Sequence, residues 1–231
     1  MSTFVLIHGA FHGGWCFERL APLLRQSGHD VIAPDLTGAA RSSTDVLDRL
    51  SQAAILVGHS SGGMVISELA RRYPGRCGAL VYLTAFLLPP GHTPHDLGPD
   101  PRSRFPEAVV RDAAPGQTRV NPDRAAAVFY HDCDPDDAAR ALARLVPEPT
   151  RTGPASSPPP EETTVRRFYV ECTRDRALTI ERQRQMYTAM PCEKVYTMHT
   201  GHSPFLADPR ALADHLIDIA GSISGPPYGT H

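Results

Sequence analysis

The stretch that decides the fold of this chain reads Ala53-Ala54-Ile55-Leu56-Val57-Gly58-His59-Ser60-Ser61-Gly62-Gly63. Its apolar first half predicts a buried strand, and its glycine-rich second half predicts one sharp turn into a helix that begins near Ser61. A Gly-x-Ser-x-Gly pattern between a strand and a helix is typical of a turn that exposes a nucleophilic serine hydroxyl, here that of Ser60. Gly58 and Gly62 lack Cβ atoms, so the strand and the helix can approach each other closely around that serine.

Outward from this stretch, short apolar runs alternate with amphipathic helical patterns. Strands are predicted at residues 3–7, 30–33, 53–57, 78–84, 165–171 and 193–198, and helices at 17–26, 42–50, 61–73, 180–190 and 209–219. This alternation predicts an α/β fold, with a mostly parallel sheet that carries helices on both faces.

The alternation is interrupted between residues 87 and 164, where no buried strand is predicted. Two helices are predicted there, because Asn121-Pro122 and Asp134-Pro135 each place a capping residue before a proline in the first turn. The proline- and serine-rich residues 147–160 predict an extended connector. We therefore interpret residues 87–164 as a mainly helical cap inserted into a core of residues 1–86 and 165–220. Residues 221–231 are small and polar, which predicts a mobile tail.

Composition argues against several classes of protein. Hydrophobic residues make up 41% of the 231 residues and the formal net charge is −2, so no binding to nucleic acid or to a membrane surface is expected. No apolar run is long enough to span a bilayer, and no secretory leader is expected before the first strand. Five cysteines without a C-x-x-C pair favour a reducing, cytoplasmic compartment. Composition leaves open whether the chain forms a homodimer.

A serine nucleophile needs a base, and the base needs a carboxylate that orients it. Asp175 follows the predicted strand 165–171, and His202 follows the predicted strand 193–198. Both therefore lie at the carboxyl ends of parallel strands, at the same edge as Ser60. The chain order serine, aspartate, histidine is also the order that accompanies this serine turn. The sequence thus predicts a catalytic triad of Ser60, His202 and Asp175.

Other residues compete for the roles of base and acid. His199 lies three residues before His202 and nearer the strand end, but no glycine precedes it. Asp35 and Asp208 are weaker candidates for the acid, because Asp35 precedes the serine and Asp208 follows the histidine.

An oxyanion hole needs two N–H groups beside the serine. The N–H of Ser61, at the start of a helix, is one; the loop after the first strand supplies the other, with Ala10 the best position and Phe11 the next. His8 and His12 in that loop do not share a helix face and have no apparent third ligand, so we expect no metal. The loop also lacks a G-x-G-x-x-G pattern in register, so no dinucleotide cofactor is expected.

Several stretches together resemble the α/β-hydrolase group that contains plant methylesterases and hydroxynitrile lyases, with their bacterial relatives. They are Phe4-Val5-Leu6-Ile7-His8-Gly9-Ala10 with Gly13-Gly14-Trp15-Cys16, Asp35-Leu36, Val57-Gly58-His59-Ser60-Ser61-Gly62-Gly63, Thr84-Ala85-Phe86, Phe129-Tyr130-His131-Asp132-Cys133, and Gly201-His202 with a following proline. The resemblance implies an α/β-hydrolase fold with about six core strands, no metal, no organic cofactor, and Ala10 and Ser61 as the oxyanion donors.

Two positions depart from the lyases that the chain resembles. Those lyases have threonine where Gly9 stands and lysine where Ser203 stands, and they use both groups on the cyanohydrin and the leaving cyanide. This chain has neither, and its only lysine, Lys194, lies elsewhere in the sequence. The resemblance therefore favours ester hydrolysis over lyase activity.

The main hypothesis is a serine esterase that cleaves a small or medium-sized apolar or aromatic ester through an acyl-enzyme. Phe11, Phe86, Phe129, Tyr130 and Phe205 are the candidates to line its substrate pocket. The alternative is a biosynthetic tailoring enzyme acting on a polyketide-like ester, thioester or C–C bond, which the arginine-rich, lysine-poor composition motivates because it is typical of GC-rich bacterial genomes. A non-catalytic ligand-binding protein is disfavoured, because all three triad members are present.

Overall fold

The computed structural model describes residues 1–36, 47, 50, 52–149 and 164–224 of the protein. Its strands are β1 (Thr3–Ile7), β2 (Asp30–Ile32), β3 (Ala54–His59), β4 (Cys77–Leu83), β5 (Val109–Arg111), β6 (Gln117–Val120), β7 (Glu148–Pro149), β8 (Arg167–Cys172) and β9 (Lys194–Met198). Six of them form one parallel sheet in the order β2-β1-β3-β4-β8-β9. The other three form a small antiparallel sheet in the order β5-β6-β7.

The described helices are α1 (Leu20–Gln26), α2 (Gly62–Arg72), α3 (Phe105–Ala108), α4 (Pro122–Phe129), α5 (Pro135–Leu142), α6 (Ile180–Ala189), α7 (Pro204–Ala207) and α8 (Pro209–Ser224). Short 3₁₀ turns occupy Gly14–Phe17, Pro74–Arg76 and Pro94–Leu97. Among the described residues, no helix is long and apolar enough to cross a membrane.

The large sheet is buried on both faces, as its continuous apolar strands require. Phe4 and Leu6 of β1 belong to one core, which also contains the apolar faces of α1 and α8. Val5 and Ile7 point to the opposite side and belong to a second core with α2 and α6. This alternation along one strand follows from the two-residue period of β structure. Helices on both faces leave the carboxyl edge of the sheet as the place for a site.

The insertion between β4 and β8 contains both predicted helices and a sheet that the sequence pattern missed. Asn121 and Asp134 cap α4 and α5 through side-chain oxygens that accept from backbone N–H groups, which confirms both helix starts. Strands β5, β6 and β7 are only 3, 4 and 2 residues long and are not fully buried, so they carry no strong apolar pattern. Glu148–Pro149 pairs with β6, inside the region predicted to be an unpaired connector.

Other differences concern the ends of elements. The predicted helix 17–26 is a 3₁₀ turn at Gly14–Phe17 followed by α1. Helix α8 runs to Ser224, so residues 221–224 are helical and the predicted tail cannot begin at 221. The reason is local, because Ile223 packs against the core and the Arg166 guanidinium donates to the Ser222 carbonyl. Residues 225–231, most of the predicted helix 42–50 and residues 150–160 of the predicted connector lie outside the described residues.

Candidate active site

Ser60 lies at the sharp turn between β3 and α2. Its φ is +52°, in the left-handed region that non-glycine residues rarely adopt. A Cβ added to Gly58 would lie 2.6 Å from the Gly62 carbonyl oxygen, and one added to Gly62 would lie 2.7 Å from that of Ile7. The two glycines are therefore required by close backbone packing, and this packing holds the serine in its strained conformation.

A histidine and a carboxylate meet beside this turn, at the ends of β9 and β8. His202 Nδ1 and Asp175 Oδ2 are 2.6 Å apart. The same carboxylate accepts from the Thr84 hydroxyl at 2.5 Å and from the backbone N–H groups of Ala177 and Leu178 at 2.7 and 2.9 Å. Because a carboxylate only accepts, these bonds assign the proton to His202 Nδ1 and leave Nε2 as the basic nitrogen.

The competing residues lie in other environments. His199 is exposed, and its Nδ1 contacts the Thr173 hydroxyl. Asp35 accepts from the Gly14 N–H, and Asp208 accepts from the Ala211 N–H at the start of α8. Within the described chain, His202 forms its carboxylate contact with Asp175 and with none of these groups. The geometry supports His202 and Asp175 as the predicted base and acid.

Hydrogen bonding in the loop after β1 distinguishes the two candidates for the second oxyanion donor, Ala10 and Phe11. The Phe11 N–H donates to the Glu148 carboxylate at 2.8 Å, so it is already occupied. In the part of the chain that the structure describes, neither Ala10 N–H nor Ser61 N–H donates a hydrogen bond. Ala10 and Ser61 are therefore the pair with free donors, which supports the predicted oxyanion hole.

The two histidines of this loop act as hydrogen-bonding supports. His8 Nε2 accepts from the Leu36 N–H, and His8 Nδ1 contacts the Gly9 carbonyl. His12 Nδ1 donates to the Ala10 carbonyl at 2.7 Å, and its Nε2 accepts from the Tyr130 hydroxyl at 2.7 Å. Burial lowers the pKa of His12 to about 3, so the ring is neutral. The ring nitrogens of this pair thus hold the loop backbone.

His59, the residue before Ser60, supports His202. Its Nε2 donates to the His202 carbonyl at 2.8 Å, and burial holds its pKa well below the usual value. A Cβ added to Gly9 would lie 2.9 Å from both His59 Nδ1 and the Ser60 Cβ. The glycine at the position where the related lyases have threonine is therefore needed for packing in this chain, since any side chain there would displace the turn.

Backbone strain is concentrated around these groups. In the described part of the chain, the non-glycine residues with positive φ are Phe11 (65°), Ser60 (52°) and Thr84 (37°). Phe11 lies in the loop after β1, Ser60 lies at the turn after β3, and Thr84 donates to the Asp175 carboxylate. Such conformations cost about 1–3 kcal/mol each and cluster at functional sites, where surrounding structure enforces them.

The five aromatic residues predicted to line a pocket are not equivalent. Phe129 lies with its ring centroid 5.7 Å from that of His202, and Phe86 is the one of the five that is partly exposed. Phe11 and Tyr130 are almost fully buried. Phe205 has 0% exposure and packs edge-on against His59. The lining roles of all five stay predictions.

A serine at a strained strand–helix turn, beside a histidine–carboxylate pair on a parallel sheet, is the arrangement that defines α/β hydrolases. The chain belongs to the alpha/beta hydrolase family, whose model matches residues 4–215. The predicted fold class and the predicted family are thereby confirmed.

Two relatives and one solved structure show where the chain stands within the family. It is 31% identical over 250 residues to a pyrethroid hydrolase of Sphingobium wenxiniae, covering 95% of this chain and 88% of that protein. It is 28% identical to methyl jasmonate esterase 1 of Vitis vinifera, covering 96% and 97%. A crystal structure of a pyrethroid hydrolase from Sphingobium faniae superposes with a TM-score of 0.84 at 30% identity, covering 96% and 98%.

Sequence reasoning did not assign roles to several residues that the structure places at the site. Thr84 directly follows β4, which lies between β3 and β8, so its position at the sheet edge between Ser60 and Asp175 was a usable signal. His59 and Glu148 gave no comparable signal, because their roles depend on contacts with residues 143 and 137 positions away in the chain.

Proposed function

We propose that the protein is a serine esterase that works through an acyl-enzyme. Ser60 Oγ attacks the ester carbonyl carbon while its proton passes to His202 Nε2, and the N–H groups of Ala10 and Ser61 receive the oxyanion. The tetrahedral intermediate expels the alcohol, which takes the proton from Nε2. Water then attacks the acyl-Ser60 ester with the same base, and the acid leaves. The observation that carries this proposal is the buried His202–Asp175 pair, whose histidine packs against His59, the residue directly before the strained Ser60.

Neutral apolar or aromatic esters are the proposed substrates. Phe129 beside His202 and the partly exposed Phe86 supply apolar surface for an acyl group. Among the described residues, Arg182 is the one buried cation, and it donates to the carbonyls of residues 97–99. A buried free carboxylate on the substrate would need a cationic partner, so uncharged esters fit better. Relatives named as a pyrethroid hydrolase and a methyl jasmonate esterase support ester chemistry of this kind.

Cyanohydrin cleavage is not part of the proposal. Gly9 has no room for the threonine that related lyases carry, and Ser203 stands in place of their lysine. We also propose a reducing, cytoplasmic environment, because all five cysteines of the chain are free.

The test of the proposal combines activity with covalent labelling. A panel of methyl and p-nitrophenyl esters should be hydrolysed by the wild type and not by Ser60→Ala. Mass spectrometry after fluorophosphonate treatment should place the adduct on Ser60, and the matched Ser61→Ala variant should still be labelled there. An adduct on Ser61, or no adduct in the wild type, would contradict the assignment of the nucleophile.

A further inference from the structure

Three consecutive residues just after α4 each contact a different catalytic loop. They are Tyr130, His131 and Asp132, hereafter the 130–132 segment. The loops are the oxyanion loop after β1, the acid loop after β8 and the base loop after β9. Each loop is fixed by its own strand at one end, and the acid and base loops also bond to each other where the Arg174 N–H donates to the Thr200 carbonyl at 3.0 Å.

The first contact reaches the oxyanion loop. The Tyr130 hydroxyl donates to His12 Nε2, and His12 Nδ1 donates to the carbonyl of Ala10, both at 2.7 Å. The Ala10 carbonyl shares its planar peptide with the Phe11 N–H, which donates to Glu148, so the two bonds together hold the peptide that directly follows Ala10 in the oxyanion loop. Tyr130 is 2% exposed, so this relay is shielded from competing water.

The second contact reaches the acid loop. His131 Nε2 lies 3.0 Å from the carbonyl oxygen of Arg174, the residue before Asp175. Nε2 donates to this carbonyl oxygen, which can only accept, and burial lowers the pKa of the His131 ring.

The third contact reaches the base loop. Asp132 Oδ2 accepts from the N–H of Gly201, the residue before His202, at 2.6 Å. A Cβ added to Gly201 would lie 2.6 Å from His131 Cε1 and 2.7 Å from Asp132 Oδ1. The base loop therefore packs directly on the segment, and the glycine is what permits that approach.

We propose that the 130–132 segment is the positioning element that sets the oxyanion loop, the acid loop and the base loop in register with one another. The inference rests on the proposed function, since it assigns the segment a role in that site. Catalytic groups must be held within about 0.5 Å of their productive geometry, and an error of about 1 Å can cost about 100-fold in rate. One short segment that bonds all three loops provides such a constraint with few side chains.

The experiment compares Asp132→Ala, Asp132→Asn and Asp134→Ala. Asp134 caps α5 two residues further on. Among the described residues its side chain accepts from the N–H groups of Asp136 and Asp137 and forms no hydrogen bond with the three loops, so its loss should destabilise the same region without releasing the base loop. The readouts are the second-order rate of fluorophosphonate labelling at Ser60, the low-field proton NMR signal of His202 Nδ1–H, and the Tm. The NMR signal needs no substrate and no reaction.

Asp132→Ala should slow labelling about 10- to 100-fold and shift or broaden the His202 signal. Asp132→Asn should label within about threefold of the wild-type rate, because its amide oxygen can still accept from Gly201. Asp134→Ala should lower the Tm and label at the wild-type rate. A wild-type labelling rate in Asp132→Ala, or equal rate losses in Asp132→Ala and Asp134→Ala, would overturn the proposal.

Two further outcomes of this experiment also test the proposal. If Asp132→Ala does not fold, Tyr130→Phe tests the oxyanion arm by removing one hydroxyl, and a wild-type labelling rate there would overturn the proposal. If the wild type is not labelled at all, the proposed function fails, and the NMR signal decides the inference alone. A His202 signal that Asp132→Ala leaves unchanged would then overturn it.

Discussion

The inner and outer parts of the insertion between β4 and β8 are held in different ways. At the inner part, Phe129 and Tyr130 are each 2% exposed and the 130–132 segment bonds three loops of the core. At the outer part, Phe105 is 37% exposed and the Arg104–Glu107 pair faces solvent. The inner part is thus anchored to the core, and the outer part faces solvent. We expect changes in the inner part to affect the rate of reaction, and changes in the outer part to affect the choice of substrate.

The largest expected effect tests the machinery itself. His202→Ala should lower kcat/KM by about 10⁴-fold or more, as much as Ser60→Ala, because members of a triad act as a unit. His199→Ala should stay near the wild-type value, since His199 is exposed and contacts Thr173. The measurement is kcat/KM on one p-nitrophenyl ester. Equal losses of kcat/KM in the His202→Ala and His199→Ala variants would contradict the assignment of His202 as the base.

The second prediction concerns Gly9, which packs against the turn that carries Ser60. Gly9→Ala should lower kcat/KM by about 100-fold, because its Cβ would lie 2.9 Å from the Ser60 Cβ and would displace the nucleophile. Gly75→Ala is the matched control, since nothing lies within 4 Å of a Cβ built there. Steady-state kinetics and Tm on both variants check the prediction. A Gly9→Ala variant with wild-type activity would show that the turn accommodates the added Cβ without displacing Ser60.

The third prediction concerns the bond between Thr84 and the acid. Thr84→Val keeps the shape and removes the donor to Asp175 Oδ2, and a hydrogen bond to a charged group contributes about 1.5–3 kcal/mol. We therefore expect kcat to fall about 10- to 100-fold with little change in KM. Thr84→Ser should restore most of the activity. If Thr84→Val matched the wild type, orientation of Asp175 would depend on the N–H groups of Ala177 and Leu178 alone.

The fourth prediction is that low pH weakens the contact between the insertion and the core. The pKa of His12 falls from 6.5 to about 3 in the fold, so the folded state disfavours its protonation. Its contribution to stability is present above pH 6.5 and is lost as pH falls from there toward 3. At pH 5 the loss should be about 2 kcal/mol. Urea unfolding at pH 7 and pH 5 measures it, and His12→Gln should show a smaller difference between the two.

Sequence patterns were sufficient to predict the core sheet and to name the residues proposed to react. The alternation of strands and helices predicted the parallel sheet, and strand ends placed Ser60, Asp175 and His202 at one edge, where the structure has them. Both predictions rest on local sequence periods, two residues for strands and 3.6 residues for helices. The 130–132 segment and the β5-β6-β7 sheet were not predictable in this way, because they depend on contacts between distant parts of the chain.

The last prediction distinguishes the roles of Phe129 and Tyr130, which are neighbours at the boundary between the inner and outer parts. Phe129 faces His202 at 5.7 Å between ring centroids and also contacts the exposed Phe105 at 6.1 Å, so it joins the reactive centre to the variable part. One methylene in an apolar pocket is worth about 1–3 kcal/mol, and removal of a ring should do at least as much. Phe129→Ala should therefore change the order of preference over a series of acyl lengths, with shifts of about tenfold in kcat/KM ratios. Tyr130→Phe should lower all members of the series by a similar factor, because its hydroxyl acts on His12 and not on the acyl group. If Phe129→Ala instead lowered the whole series evenly, its ring would serve packing, and the specificity would have to lie further out in the insertion.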